Sequence, residues 1–360
     1  MKRARSIGSY TANWSSDERM KILIIRPSSM GDVVMASPVL KALKGQTPPP
    51  EIHWLIDPAL SELLEENPFV DALIPWDKRR WNKLLTQFRF VELSREIKKF
   101  RHHLKAQAYD LALDLQGLFR SRFLAFISGA RERVGFSSRE PGAFFMTRLV
   151  SKGPDKKLMG SEYLYLMEEM GYEVSDPSPH LFLGKGAEEK ATEILRRSGI
   201  DGPFFALAPF TTRPQKHWPK ERWQKLALVL RDRFGLPSVI LGGPGDVAGA
   251  QEIISGEGAV IKNSAGIASI RESAAIISRA EAIIGVDTGL THMGTALKRP
   301  TVALFGATCP YLETPLEGTK VLYHKLPCSP CKRRPTCKGD YTCMKKIEVD
   351  QVVEALLEIH

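Results

Sequence analysis

The stretch Ile284–Gly306, IGVDTGLTHMGTALKRPTVALFG, decides the fold. The apolar run Ala282–Val286 reads as a buried strand. Asp287-Thr288-Gly289 follows as a polar turn, then a short helical pattern with His292 one turn in. Arg299-Pro300 breaks that pattern before a second apolar run, Thr301–Phe305. Strand, glycine turn, helix and strand make an α/β unit. In such units ligands gather at the carboxyl ends of the strands, where the turn residues stand. Backbone N–H groups at a turn and helix start favour an anion. A carboxylate does not suit an anion site, so Asp287 is expected to orient those N–H groups or to bind a ligand hydroxyl. A helix cap explains Asp and Thr equally well, and the motif alone leaves both readings open.

The same unit recurs through the chain. Met20–Arg26 is a β-rich apolar run, followed by the turn PSSMGD at 27–32 and a helical pattern over Val33–Leu43, with Pro38 in a first turn or at a mild kink. No G-x-G-x-x-G is present, so a dinucleotide fingerprint is missing. Asp32 stands where a carboxylate faces a cleft or, equally, where it meets the start of a helix. Glu51–Ile56, Ala72–Pro75, Tyr109–Leu115 and Arg133–Phe136 read as further strands, and Phe88–Gln107 as a charged amphipathic helix. Arg120 and Arg122 follow a strand end and are candidates to face a ligand. The run SDPSPHLFLGKG at 175–186 reads as an interdomain linker. Beyond it, Phe204–Pro209 ends in FTTRPQKHWP, where two hydroxyls, an arginine and a lysine can hold a phosphate. Ser238–Gly243 ends in glycines that let a ligand approach the backbone. The expected organisation is a flexible extension over 1–19, an α/β domain over 20–178, a linker at 179–186, a second α/β domain over 187–346 and a final amphipathic helix over 347–360.

A length of 360 residues suits two such domains, and 43% hydrophobic with 26% charged residues is ordinary for a globular protein. No apolar run approaches the ~18 residues of a membrane span. The basic start MKRARSIGSYTANWSSDER lacks the apolar core of a secretory signal, so the expected compartment is the cytoplasm. The net charge of +10 suggests an anionic partner. It is enriched in Lys78–Arg80, Arg95–Lys105, Arg120–Arg133 and Lys332–Lys338, each of which also reads as a solvated face. No nucleic-acid-binding motif accompanies it. Cys328, Cys331, Cys337 and Cys343 have the spacing C-x2-C-x5-C-x5-C. In a chain without a secretory signal this suggests a small structural metal site more than disulfides.

Four segments in order, ILIIRPSSMGDVVMASPVLKAL at 22–43, DLQGLFR at 114–120, TTRPQKHW at 211–218 and Val286–Gly306, resemble the ADP-heptose:lipopolysaccharide heptosyltransferases of glycosyltransferase family 9, and most nearly the heptosyltransferase I type. The likeness spans roughly residues 20–325. It implies a GT-B fold, two Rossmann-like domains facing across a cleft. It also implies an inverting, metal-independent hexosyl-type transfer of heptose from ADP-heptose to Kdo or heptose of the inner core on lipid A. In that reading Asp32 is the base. Thr211, Thr212, Lys216, Asp287, Thr288, Gly289 and His292 hold the donor, with helix packing an alternative for His292. Lys78, Arg79, Arg80 and Arg120 meet the anionic acceptor. No cofactor is expected for catalysis, and D-x-D is absent. The four cysteines imply at most a structural zinc. Peripheral contact with an anionic membrane at the inner face is expected, Phe119, Phe123 and Phe126 being apolar candidates better read as core. The competing readings are a family member using another nucleotide sugar or a later core acceptor, and a non-catalytic nucleotide- or lipid A-binding protein with the same shell.

Overall fold

The computed structural model describes residues 19–255, 260–332 and 334–360. The extension expected over 1–19 lies, but for Arg19, outside the described residues. Two six-stranded sheets form the frame. The first contains β1 (Lys21–Ile25), β2 (Glu51–Ile56), β3 (Ala72–Pro75), β4 (Leu111–Asp114), β5 (Glu132–Phe136) and β6 (Arg148–Val150), in the order β3-β2-β1-β4-β5-β6. The second contains β7 (Phe205–Ala208), β8 (Ser238–Ile240), β9 (Ile261–Asn263), β10 (Ala282–Val286), β11 (Thr301–Phe305) and β12 (Thr319–Tyr323), in the order β12-β11-β10-β7-β8-β9. Every pairing is parallel. The central strands are buried on both faces, which is why β1, β7, β10 and β11 read as unbroken apolar runs rather than alternating ones.

Each sheet reverses its winding once. The chain runs outward from β1 through β2 and β3, then returns to β4 on the other side. It does the same between β7 and β10. At such a switch point the loops after two adjacent strands diverge and leave a crevice. The loops after β1 and β4 carry Asp32 and the Gln116–Gly117 turn. Those after β7 and β10 carry Thr211–Lys216 and Asp287–Gly289.

Three expectations change. The helix expected over Val33–Leu43 is two helices, Met30–Met35 and Pro38–Lys44. Pro38 lacks the N–H that would continue the first, and serves instead at the start of the second. Ser37 between them donates its hydroxyl to the Val34 carbonyl at 2.7 Å and accepts the His180 N–H at 2.9 Å. The linker is shorter than read, because Lys185 and Gly186 already belong to the helix Lys185–Arg197. The final helix, Val349–Ile359, is no separate unit: Val352 and Leu356 are buried in the core of the second domain.

The two domains meet at their switch points. The helix Met30–Met35 crosses the helix Gly289–Ala296. A β-carbon on Gly31 would lie 2.3 Å from His292 Cδ2, and one on Gly289 would lie 2.2 Å from Met30 Sδ. Apolar burial runs unbroken from Val33 and Val34 to Ile276, Ile277 and Met293. Beside it, Arg271 pairs with Glu66 at 3.0 Å and with Glu65, and its N–H donates to Glu62 at 3.0 Å. Gly31→Ala must displace a ring that is held on both sides. The expected cost is ~1–3 kcal/mol of stability, read from urea unfolding. Gly186→Ala, with open space around it, serves as the control and should be neutral or slightly stabilising.

Candidate active site

On the first wall, β1 ends at Ile25 and delivers Arg26 and then the turn to Asp32. The Asp32 carboxylate accepts the Ser29 N–H at 3.0 Å and the Ser29 hydroxyl at 2.6 Å, the arrangement that starts the helix Met30–Met35. It also pairs with the Arg26 guanidinium at 2.7 Å. The helix-start reading of Asp32 thus holds, and its side chain remains one-third exposed. Burial by itself would raise its pKa. The Arg26 charge and the Ser29 donors outweigh that and hold the carboxyl below its ordinary value. Arg26 is almost wholly buried, donates to the Leu115 carbonyl at 2.8 Å and lies over the Tyr163 ring at 5.8 Å. From β4, the Asp114 carboxylate accepts the N–H groups of Gln116 and Gly117 at 2.9 and 3.0 Å. Gln116 then donates its amide to the Ser28 carbonyl at 2.9 Å, tying the two loops together.

On the second wall, pairing of β7 with β10 brings the Thr211–Lys216 loop onto Asp287. Lys216 Nζ lies 2.6 Å from the Asp287 carboxylate and 3.4 Å from its carbonyl, and the Thr211 hydroxyl donates to that carbonyl at 3.3 Å. The other carboxylate oxygen faces His292 Nε2 at 3.3 Å, and Thr308 donates a further hydrogen bond. His292 is buried, its Nδ1 2.9 Å from the Tyr311 hydroxyl. Burial would raise the Asp287 pKa, but the bond and charge of His292, then Lys216, push it far below the carboxylate range. The helix-cap reading of Asp287 is therefore overturned. Thr288 is the N-cap residue, and the Asp287 carboxylate is committed to side chains instead. Nor is Lys216 an unpaired cation waiting for phosphate, since the neighbouring strand supplies its counterion. Thr288 and Gly289 are half-buried at the helix start, and Thr212 is exposed. His292 packs the helix, as its alternative reading has it, and touches Asp287.

Between the walls lies a cavity of about 600 Å³. Met30, Ala59 and Glu62 line it from the first domain. Phe210, the glycine turn at 242–243 and Thr288 line it from the second. The acceptor-side cations divide. Lys78–Arg80 open a helix, Lys78–Thr86, just beyond the end of β3, two strands or roughly 10 Å from β1. Arg79 and Arg80 are exposed, Arg80 pairing with Glu96 at 2.6 Å. Arg120 is exposed one strand away on the other side. Arg122 does not face a ligand. It is fully buried and donates to the carbonyls of Phe136, Glu140 and Pro141 and to the Ser138 hydroxyl, pinning the loop after β5. Phe119 and Phe126 are exposed rather than core, and only Phe123 packs against it. All five cysteines are free thiols, Cys343 being buried. Among the described residues no group of three or more His, Cys, Asp or Glu is placed to hold a metal ion. The thiols of Cys328, Cys331 and Cys337 lie close enough to Cys343 for their charge, after burial, to raise its pKa. Their segment folds over the end of β11, with the Lys332 N–H on the Ala307 carbonyl at 2.7 Å and the Gln215 amide on the Lys332 carbonyl at 3.1 Å.

Arg26, Tyr311 and Thr308 complete the two carboxylate clusters and were not singled out from sequence. Arg26 had a signal, because it follows a strand end as Arg120 does. Tyr311 and Thr308 lie in a loop that only the fold brings to Asp287.

Comparison with known proteins agrees with this geometry. The lipopolysaccharide heptosyltransferase 1 of Pseudomonas aeruginosa is 29% identical over 325 residues, covering 88% of this chain and 87% of its own length. A glycosyltransferase family 9 structure from Veillonella parvula superposes with a TM-score of 0.80 at 25% identity, covering 94% of this chain and 98% of that one. The Escherichia coli heptosyltransferase WaaC, solved with ADP-2-deoxy-2-fluoro heptose, gives 0.71 at 25% identity, covering 94% and 99%. These neighbours share the GT-B arrangement of two facing parallel sheets. The sequence pattern of glycosyltransferase family 9 (heptosyltransferase) matches residues 97–342, and with the two opposed switch points in place the chain belongs to that family.

Proposed function

We propose that this protein transfers heptose from ADP-heptose to a sugar of the lipopolysaccharide inner core, with inversion and without a metal ion in the chemistry. One observation carries the reading. A partly exposed carboxylate at one switch point, Asp32, stands beside the helix crossing that joins it to the Asp287 cluster at the other. The relatives named for lipopolysaccharide heptose transfer, and the WaaC structure holding an ADP-heptose analogue, support donor and acceptor class.

In this mechanism Asp32 accepts the proton of the acceptor hydroxyl as its oxygen bonds to the anomeric carbon. The bond from that carbon to the diphosphate breaks on the opposite face, and ADP departs. Negative charge grows on the diphosphate, where the start of the helix Gly289–Ala296, Thr211, Thr212 and Lys216 stabilise it. Asp287 holds Lys216 and His292 in place and offers its carboxylate to the sugar hydroxyls. The nucleoside half occupies the cavity beneath the glycine turn at 242–243. Lys78–Arg80 and Arg120 receive the acceptor's carboxylate and phosphate groups. Among the described residues no helix is long and apolar enough to cross a membrane, and the proposed location is the cytoplasmic face of the inner membrane.

A carboxylate held low by Arg26 is a weak base. An anionic acceptor that competes for Arg26 would restore its basicity.

Two measurements test this. Wild-type protein given ADP-heptose and a Kdo-lipid A acceptor should release ADP well above a no-enzyme control, and Asp32→Asn should lower turnover about 100-fold or more. Release at the control level in wild type would reject the reading. In the pH profile of kcat/KM, activity should be lost as pH falls through the Asp32 pKa, because the ionised form is required. Arg26→Met removes the charge that depresses that pKa, so the acid limb should move to higher pH; an unmoved limb would remove Arg26 from this role.

A further inference from the structure

Four of the most exposed large apolar side chains cluster at one place. Residues 77–106 form a hairpin of two helices, Lys78–Thr86 and Phe90–Ala106. At its tip Phe88 is 78% exposed, Val91 66%, Phe90 55% and Leu85 46%. Phe88 occupies the left-handed region at φ 56°, an unfavourable place for a bulky residue, and its ring meets Phe90 edge-on at 6.0 Å. Solvated turns usually carry small polar residues, so two phenylalanines, a valine and a leucine on this one are out of place for a tip that meets only water.

The charge around the tip is equally one-sided. Residues 77–106 hold ten Lys and Arg against three Asp and Glu, a net +7 within a chain whose total is +10. All three carboxylates are engaged. Asp77 accepts the Arg80 N–H at 2.8 Å, Glu92 binds Arg89 at 2.6 Å, and Glu96 binds Arg80 at 2.6 Å. The remaining eight cations form no ion pair within the hairpin, and all of these but Lys78 are exposed. The base, by contrast, is anchored. Trp81 stacks edge-on between Trp76 at 5.5 Å and Phe100 at 5.8 Å. A rigid arm with an apolar tip and a basic stem is the form that inserts side chains among acyl chains while its cations meet anionic headgroups.

The position of the arm fits the same partner. Its first residues, Lys78–Arg80, stand at the carboxyl end of β3, on the cleft side of the sheet. The nine-residue helix that follows carries the chain about 13 Å to the tip. We propose that the hairpin tip, Leu85, Phe88, Phe90 and Val91, docks this protein on a bilayer rich in anionic phospholipid. Docking at the tip sets the acceptor wall beside the membrane that carries the acceptor. This rests on the proposed function for its purpose, but not for its test.

The test is sedimentation of the full chain with vesicles of phosphatidylcholine alone or mixed with phosphatidylglycerol, without donor or acceptor. Wild type should bind the anionic vesicles at least tenfold more than the neutral ones and release at high salt. Phe88→Ser with Phe90→Ser should lower binding to anionic vesicles at least tenfold, with an unchanged thermal midpoint and unchanged ADP release on a deacylated, water-soluble acceptor. Equal binding by variant and wild type would overturn the proposal. So would parallel loss of activity on the soluble acceptor, which would place the tip in sugar binding, or binding only to vesicles that contain lipid A, which would assign it to the acceptor's own acyl chains. Failure of ADP release in wild type would reject the transferase reading and leave the vesicle result standing.

Discussion

Gly31 lies against the His292 ring and Gly289 against the Met30 side chain, with no room for a β-carbon at either position. That close crossing sets the spacing of the two walls. Residue 31 adjoins Asp32 in the chain, and His292 is a direct partner of the Asp287 carboxylate. One glycine therefore couples the position of the first carboxylate to the second. The sheets place their switch points on either side of this crossing, and the cavity opens beside it. A two-domain enzyme of this kind must hold donor and acceptor at reacting distance, and misplacement by about 1 Å is costly.

The two carboxylates are kept ionised by different means. Asp32 has one buried guanidinium and a local hydroxyl and N–H, and a third of it faces solvent. Asp287 is more deeply enclosed and is surrounded by a lysine, a histidine and a threonine. The first arrangement leaves part of the carboxylate open to solvent. The second consumes most of the carboxylate's capacity and makes it a fixture that positions Lys216 and His292. Groups with such unlike surroundings are suited to unlike roles.

Much of the frame was legible because parallel strands buried on both faces are written as short apolar runs, and glycine-bearing polar turns mark their carboxyl ends. Asp32, the Thr211–Lys216 loop and the Asp287 turn were found that way. What failed depended on partners distant in sequence. Arg122 reads like Arg120, but helix geometry turns it inward onto the loop after β5. Phe119 and Phe126 read as core, whereas the helix Phe119–Ser128 buries its other face. Nothing local to Asp287 shows that Lys216, 71 residues away, neutralises it. β6, β9 and β12 were missed; β6 and β9 are three residues long, too short for a periodic signal, and they lack the glycine pair that marks the end of the equally short β8.

In the proposed mechanism the walls divide the labour, the second binding the nucleotide and the first performing the proton transfer. Calorimetric titration of ADP separates them directly. Asp32→Asn should bind ADP within about twofold of wild type, whereas Lys216→Ala should bind it roughly tenfold more weakly, one charge-assisted contact being lost. ADP binding weakened by Asp32→Asn and untouched by Lys216→Ala would contradict this division.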